Sequence, residues 1–298
     1  HIKRFSNRGP KENETCFFSL QPQRSCTSSC FPWVFSLDLD FANVSTHDYQ
    51  AGGSSMLVGI ISDVHSNLEA LTSIFAHGDA QGVERYICLG DVVGYGADPN
   101  PCCDLLREKV EVCLLGNHDA AVIGVMDESY YYQEARDALT WTRKKLSDEN
   151  LHWLYALPYS FVLKDYGFFH AAPIQPSGFY YVIHEQDAFH HVPVYDRLPR
   201  YSFVGHSHLT QSFIITNRGV RNITGNCESP SVGEKVIITV GSVGQPRDRN
   251  PESCFVILDT ETGTYEYHRV GYAISKAAGK IQEAGLSERF ALRLYEGA

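Results

Sequence analysis

The sequence predicts an α/β protein, a four-layer α-β-β-α sandwich of two mixed sheets flanked by helices, and three observations predict it. Across residues 57–156, short apolar runs alternate with segments of helical periodicity, the pattern of βα units and of a parallel, doubly wound core. Across residues 161–270 the chain is instead rich in strand-like runs, which requires a second sheet packed on the first with helices outside. Polar residues of metal-ligand type stand directly behind several of these runs, at the strand ends where open α/β sheets bind their ligands.

Each element has its own signal. Residues 57–61 are continuously apolar, as a strand buried on both faces requires. Ser66-Asn67-Leu68-Glu69 has the form of a capping box, so a helix should begin there, bury Leu68, Leu71, Ile74 and Phe75, and end at Gly78. Residues 86–89 give the next strand, 104–109 a short helix behind Pro99 and Pro101, and 110–115 a third strand. Helical periodicity returns at 134–146 and 148–156. Strands then fall at 161–163, 168–169, 202–204, 213–216, 236–240, 254–258 and 264–270, with 259–263 as a hairpin turn. Residues 173–200, with Pro173, Pro176, Pro193, Pro199 and several aromatics, read as an irregular insertion. Residues 273–284 form a last long helix, stopped by Gly285 and followed by a short one.

A 298-residue chain that is 43% hydrophobic and 20% charged is an ordinary globule with a sizeable core. Its net charge of −10 weighs against nucleic acid and anionic membranes as partners. It leaves an anionic substrate open, because bound cations would dominate the local field. No apolar stretch is long enough to cross a membrane. Nine cysteines show no disulfide-framework spacing, which points to a reducing, cytoplasmic setting, and Cys88, Cys113 and Cys254 sit inside apolar runs as core residues. Met56 stands immediately before the first strand, so residues 1–55 read as an irregular extension and 56–298 as the folded domain. Within that extension Cys16, Cys26 and Cys30 lack a histidine at zinc-ligand spacing, and its acidic residues argue against a transit peptide.

The chemistry lies in Asp63-Val64-His65, Gly90-Asp91, Gly116-Asn117-His118-Asp119, His170 and Gly205-His206-Ser207-His208. On a strand, positions i and i+2 face the same way, so Asp63 with His65, and His206 with His208, can each address one cation. Taken singly, each segment has a plain structural reading: a helix-capping loop at His65, a glycine turn at Asp91, a polar turn at Asn117, a satisfied core histidine at His170. Their joint occurrence at strand ends favours a metal site. A mixed nitrogen and oxygen donor set suits manganese, iron or zinc better than magnesium or calcium.

The order of these motifs resembles that of the calcineurin-like metallophosphoesterase superfamily. Gly90-Asp91-Val92-Val93-Gly94-Tyr95-Gly96 and Gly241-Ser242-Val243-Gly244-Gln245-Pro246-Arg247-Asp248 resemble its small prokaryotic branch of phosphodiesterases and diadenosine tetraphosphatase-like proteins, and the match runs from about Met56 to the C-terminus. The resemblance implies two divalent transition-metal ions, manganese foremost. Asp63, His65 and His208 would hold one, Asn117, His170 and His206 the other, and Asp91 would bridge them. His118 would be catalytic rather than a ligand, and Arg247 would grip a phosphate oxygen.

Protein serine/threonine phosphatases of the superfamily carry Gly-Asp-x-x-Asp-Arg-Gly at the second motif, with the second aspartate orienting the catalytic histidine. Here those positions are Gly94 and Tyr95, so the protein-phosphatase alternative loses support and His118 needs another partner, for which Asp119 is the candidate. The implied reaction is hydrolysis of a small phosphate ester, diester or dinucleoside polyphosphate by in-line attack of a hydroxide bridging the two cations, with His118 protonating the leaving oxygen. A non-catalytic binding or scaffold protein on the same fold is the competing class, disfavoured because every motif position is filled. Substrate choice would fall to residues 173–199 and to Tyr130, Tyr131 and Tyr132, while Tyr180 and Tyr181 could stack on a base or pack into a core.

Overall fold

The computed structural model describes residues 56–225, 227 and 229–298. The readings placed on residues 1–55, including the three cysteines there, lie outside the described residues.

The first half runs β1 (Leu57–Ile61), α1 (Leu68–Ala80), β2 (Arg85–Cys88), α2 (Pro99–Lys109), β3 (Val112–Cys113), α3 (Asn117–Val122), α4 (Gln133–Lys145) and α5 (Asp148–Tyr155). The second runs β4 (Ser160–Leu163), β5 (Tyr166–Phe169), α6 (Glu185–Phe189), β6 (Tyr201–Val204), β7 (Thr210–Ile215), β8 (Val220–Asn222), β9 (Lys235–Val240), β10 (Ser253–Asp259), β11 (Tyr265–Val270), α7 (Ile274–Glu283) and α8 (Glu288–Glu296).

Two mixed sheets result, ordered β11-β10-β1-β2-β3 and β4-β5-β6-β9-β7-β8. They pack face to face through one apolar layer that includes Ile60, Leu89, Phe168, Phe203, Val236 and Val256. Burying each such side chain stabilises the fold by about 1.5–3 kcal/mol. Phe161, Phe168 and Phe203 stack across β4, β5 and β6 at ring-centroid separations of 5.9 and 5.6 Å, adding cross-strand aromatic pairing. On the outer face of the first sheet, Leu71, Ile74 and Phe75 of α1 join a second apolar cluster. The outer face of the second sheet has a thinner cover, in which Ala188 of α6 packs beside Phe213 and Ile237.

Several expectations are corrected. The sheets are not doubly wound: β1, β2 and β3 are parallel, as are β5, β6 and β9, but antiparallel strands complete both sheets. Each sheet gives one face to the other, so helices cover only the remaining faces. The cap of α1 is Asn67, whose Oδ1 accepts the Ala70 N–H at 3.1 Å, and Glu69 turns instead to Lys276 and Lys280. Gly78 does not end α1. It lies inside the helix because the Tyr86 ring occupies the space a Cβ would need. Helix α2 starts earlier than its apolar pattern, with Pro99 in its first turn, where a missing N–H costs nothing. The segment 173–200 is built of short pieces, namely α6 and 3₁₀ turns at Pro176–Gly178 and Val192–Arg197.

Three parallel strands of each sheet deliver their carboxyl ends to one edge, and loop hydrogen bonds lock the two groups together. Asp63 N–H donates to Gly90 O (3.0 Å), His65 N–H to Asp91 O (2.9 Å) and Val243 N–H to Ser62 O (2.9 Å). With the His206 N–H donated to Asp63 Oδ2 (3.0 Å), the loops after β1, β2, β6 and β9 form one surface.

Candidate functional site

Every ligand-type residue singled out in the sequence lies on that edge, and all are buried. Asp63 and His65 follow β1, Asp91 follows β2, Asn117 and His118 open α3 behind β3, His170 follows β5, and His206 and His208 follow β6. Their convergence does not come from the pleat of a strand, as the i, i+2 spacing implied. Asp63, His65, Ser66, Asp91, Tyr95, His206 and His208 all have positive φ, between 47° and 63°, a left-handed backbone that costs non-glycine residues energy. The strain turns each side chain inward. Only four other non-glycine residues share it among those described.

Hydrogen bonds fix which atoms face the centre. His65 Nδ1 lies 3.1 Å from Val93 O, His170 Nδ1 3.2 Å from Leu89 O and His208 Nδ1 2.6 Å from Gln245 O. A carbonyl only accepts, so each Nδ1 carries the hydrogen and Nε2 is the atom each ring turns to the centre, with a lone pair there when the ring is neutral. Those lone pairs converge. The Nε2 atoms of His65 and His208 are 3.1 Å apart, and His170 Nε2 is 3.0 Å from Asn117 Oδ1.

The carboxylates are split in the same way. One oxygen of Asp63 accepts the His206 N–H (3.0 Å) and one of Asp91 the His118 N–H (2.8 Å). The other Asp63 oxygen is buried without a hydrogen-bond partner, 3.3 Å from His208 Nε2. The other Asp91 oxygen lies between the two imidazole groups, 3.7 Å from His65 Nε2 and 3.5 Å from His170 Nε2.

Acceptor facing acceptor in a buried site is repulsive unless a cation or a proton sits between them. Burial pushes His65 and His208 well down and His206 to about 3, which leaves no protons to fill the gap there. Burial also lowers His170, but the Asp91 charge overcomes it and raises that ring to about 9. Three clusters have ligand atoms within 4.8 Å of one another: Asp63, His65 and His208; His65, Asp91 and His118; Asp91, His170 and His206. The donor set therefore fits divalent metal: hard and borderline donors anchored from behind, with His65, His206 and His208 deprotonated and His170 exchanging its proton for the ion.

His118 borders the centre. Its ring lies 4.5 Å from that of Tyr95, 4.8 Å from His65 and 5.1 Å from Tyr131, and burial lowers it to about 4. Asp119 is not its partner. The Asp119 carboxylate accepts backbone N–H groups from Val92 (3.2 Å), Val93 (3.1 Å) and Gly116 (3.1 Å), tying the loop after β2 to the start of α3. Burial and the charge of Asp91 push that carboxyl up to about 7 against the pull of the three amides. The expected catalytic role for Asp119 is thereby corrected to a positioning one. His118 Nδ1 has no partner at all and faces Gly94, where a Cβ would lie 2.6 Å away. The residue that lacks the phosphatase-type aspartate thus leaves the imidazole room instead of an acceptor.

Arg247, expected to grip phosphate, reaches the same cavity. Its guanidinium lies 5.8 Å from the centre of the Tyr95 ring, Nη2 donates to Gln245 Oε1 at 3.2 Å, and its buried Nε has no partner. The cavity is about 370 Å³ and is lined by Asp91, Asn117, His118, His206, His208 and Arg247 together with several tyrosines.

Two contributors take roles other than those the sequence offered, and a third escaped it. Tyr131 accepts the Asn117 Nδ2–H at 2.5 Å and so orients its Oδ1. Tyr181 stacks on His206 at 3.8 Å. Arg293 of α8 lines the cavity. The tyrosines were visible as aromatic clusters read as substrate determinants or core residues, whereas Arg293 carried no signal because only packing brings α8 to the site.

A fold of two mixed sheets flanked by helices, with an Asp/His cluster at the strand ends, defines a metallophosphoesterase-like class. The calcineurin-like phosphoesterase superfamily domain matches residues 56–263, and the chain belongs to that superfamily. An uncharacterized protein of Methanocaldococcus jannaschii is 34% identical over 247 residues, covering 81% of this chain and 98% of the relative. A metallophosphoesterase crystal structure from Sphaerobacter thermophilus is 32% identical with a TM-score of 0.70, covering 82% of this chain and 100% of its own. A hypothetical protein from Pyrococcus horikoshii shares the fold at 18% identity, with a TM-score of 0.66 over 82% of this chain and 99% of its own. Among the described residues no helix is long and apolar enough to cross a membrane.

Proposed function

We propose that the protein is a dinuclear metal-dependent phosphoesterase acting on a small phosphate ester, diester or dinucleoside polyphosphate. The observation that carries this reading is the set of converging lone pairs: imidazole Nε2 atoms 3.1 Å apart and a buried, unpartnered carboxylate oxygen, with the second oxygen of Asp91 between two such groups. Asp63, His65 and His208 would hold one cation, Asn117, His170 and His206 the other, and Asp91 both. The mixed donors suit manganese, iron or zinc, and manganese, foremost in the family resemblance, is the ion proposed. Bound there, the ions would supply Lewis-acid charge and a water acidic enough to attack phosphorus near neutral pH.

The chain's own residues do the rest. Arg247 has a free buried N–H for a phosphoryl oxygen and would neutralise charge on it. His118 would stand on the leaving side, where the ring in its neutral form would hydrogen-bond the departing oxygen through its N–H and in its imidazolium form would transfer the proton and return to neutral. Tyr131 and the carbonyls of Leu89, Val93 and Gln245 keep the donors aimed, so little reorganisation is needed when substrate arrives. The buried Gly94, in place of an aspartate, argues for small esters over phosphoproteins. A reducing, cytoplasmic setting suits the unpaired, buried Cys88, Cys113 and Cys254.

The test is hydrolysis of bis(p-nitrophenyl) phosphate and a panel of monoesters, cyclic nucleotides and dinucleoside polyphosphates by manganese-loaded protein. We expect turnover of at least one class, abolished in Asp91→Asn together with metal content. A loaded protein inert toward the whole panel would contradict the reading.

A further inference from the structure

The cavity at the metal centre does not end there. A second one, about 450 Å³, continues outward and shares Met126, Tyr130, Gly178 and Phe179 with it. We propose that this outer cavity is a subsite for a planar aromatic ring, of nucleobase size, carried by the phosphorylated substrate. The proposal rests on the phosphoesterase reading and narrows its substrate class.

The lining argues for it. Tyr130 is 78% exposed, Tyr180 56% and Tyr159 37%, and all three border this one cavity. Exposed aromatic rings are ordinary one at a time, but several around one hollow mark a binding surface. Their rings offer π-faces and hydroxyls and no formal charge, which suits a flat, weakly polar ring rather than another phosphate.

The walls are held in place. Gln175 and Phe179 have φ of 49° and 50°, so the loop carries left-handed backbone at two non-glycine positions. Phe179 is buried, with its ring 5.9 Å from both Tyr159 and His170, and it forms a floor running from the outer cavity to the metal centre. Tyr180 lies over Gly178, where a Cβ would come within 2.7 Å of its ring. On the opposite wall, Tyr130 closes a 3₁₀ turn, Glu128–Tyr130, whose Asp127 cap accepts the Ser129 N–H at 2.8 Å and whose Glu128 pairs with Arg143. A ring entering between these walls would meet preformed surfaces, with its attached phosphate directed to Arg247 and the metal centre.

Calorimetric titration of the manganese-loaded protein tests this with two non-hydrolysable probes, the isosteric 5′-phosphonate of adenosine monophosphate and the corresponding ribose 5-phosphonate. The adenosine probe should bind about tenfold more tightly or better, the scale of base stacking on an aromatic side chain. The double variant Tyr159→Ala/Tyr180→Ala should lose that advantage while binding the ribose probe as before, which also shows that it is folded. Tyr159→Phe/Tyr180→Phe, which keeps the rings, should retain it. Equal binding of the two probes by the wild type, or an advantage that survives in the alanine variant, would overturn the subsite and leave the phosphoesterase reading standing. Failure of both probes to bind would overturn both.

Discussion

His118 is the residue on which the chemistry turns without being needed for the metals. It touches Tyr95, His65 and Tyr131 through its ring, and no hydrogen bond ties its Nδ1 to the fold. His118→Ala is therefore expected to keep its metal content by elemental analysis and to lower kcat by about 10²–10⁴-fold, the usual range for a lost acid–base group. Loss of metal in that variant would make His118 a ligand. Donor chemistry is what the sequence displays well, because few residue types can bind a cation, and so the seven ligand candidates were legible as letters. Their backbone was not. Nothing in Asp63, His65 or His208 announces a left-handed conformation, since side-chain type does not encode φ when tertiary hydrogen bonds impose it. Asp119 shows the converse: a carboxylate next to His118 in sequence spends both oxygens on backbone amides instead.

Elements position the site, and one pair of helices does so through charge. Lys280 of α7 lies 2.8 Å from Glu69 of α1 and 2.5 Å from Asp98 at the start of α2, and Lys276 lies 3.1 Å from Glu69. Burial alone would raise the Glu69 carboxyl, but its bonds to Lys280 and Lys276 outweigh that and hold it below its ordinary value. A carboxyl lowered on folding stabilises the folded state above its unfolded pKa and loses that contribution as pH falls through the folded one. Lys280→Ala should thus be destabilised relative to wild type at pH 7, with the gap closing below about pH 4, as read by urea denaturation across pH. An unchanged gap across that range would remove the pair from the account. Long elements were read from periodicity to within a few residues. Short ones were not. Six-residue α3 was not read as a helix and β8 was missed, since three to six residues carry too little period. The apolar run 110–115 pairs only at Val112–Cys113, because Leu115 N–H leaves the sheet for Pro158 O at 2.8 Å.

At the scale of the whole molecule, two sheets bring together candidate ligands that lie up to 145 positions apart, from Asp63 to His208, and bound cations would reconcile so many buried acceptors. Metal binding should then be worth stability as well as activity. Free manganese at a hundred times its Kd should add about 2.7 kcal/mol to unfolding free energy, and a chelator should remove it. A melting temperature indifferent to chelation would mean that the cluster is satisfied without metal. The superfamily and the sandwich were both legible in the motif order, because two packed sheets deliver ligands from strand ends and each motif directly follows an apolar run. The aromatic outer cavity was not, since residues 125–130, 159 and 177–180 meet only in three dimensions.

Anomalous diffraction at the manganese edge, from crystals grown with manganese, tests the central claim most directly. The account predicts two peaks per chain, one among Asp63, His65 and His208 and the other among Asn117, His170 and His206, with Asp91 touching both. No peak at these residues, or peaks only elsewhere on the molecule, would contradict it.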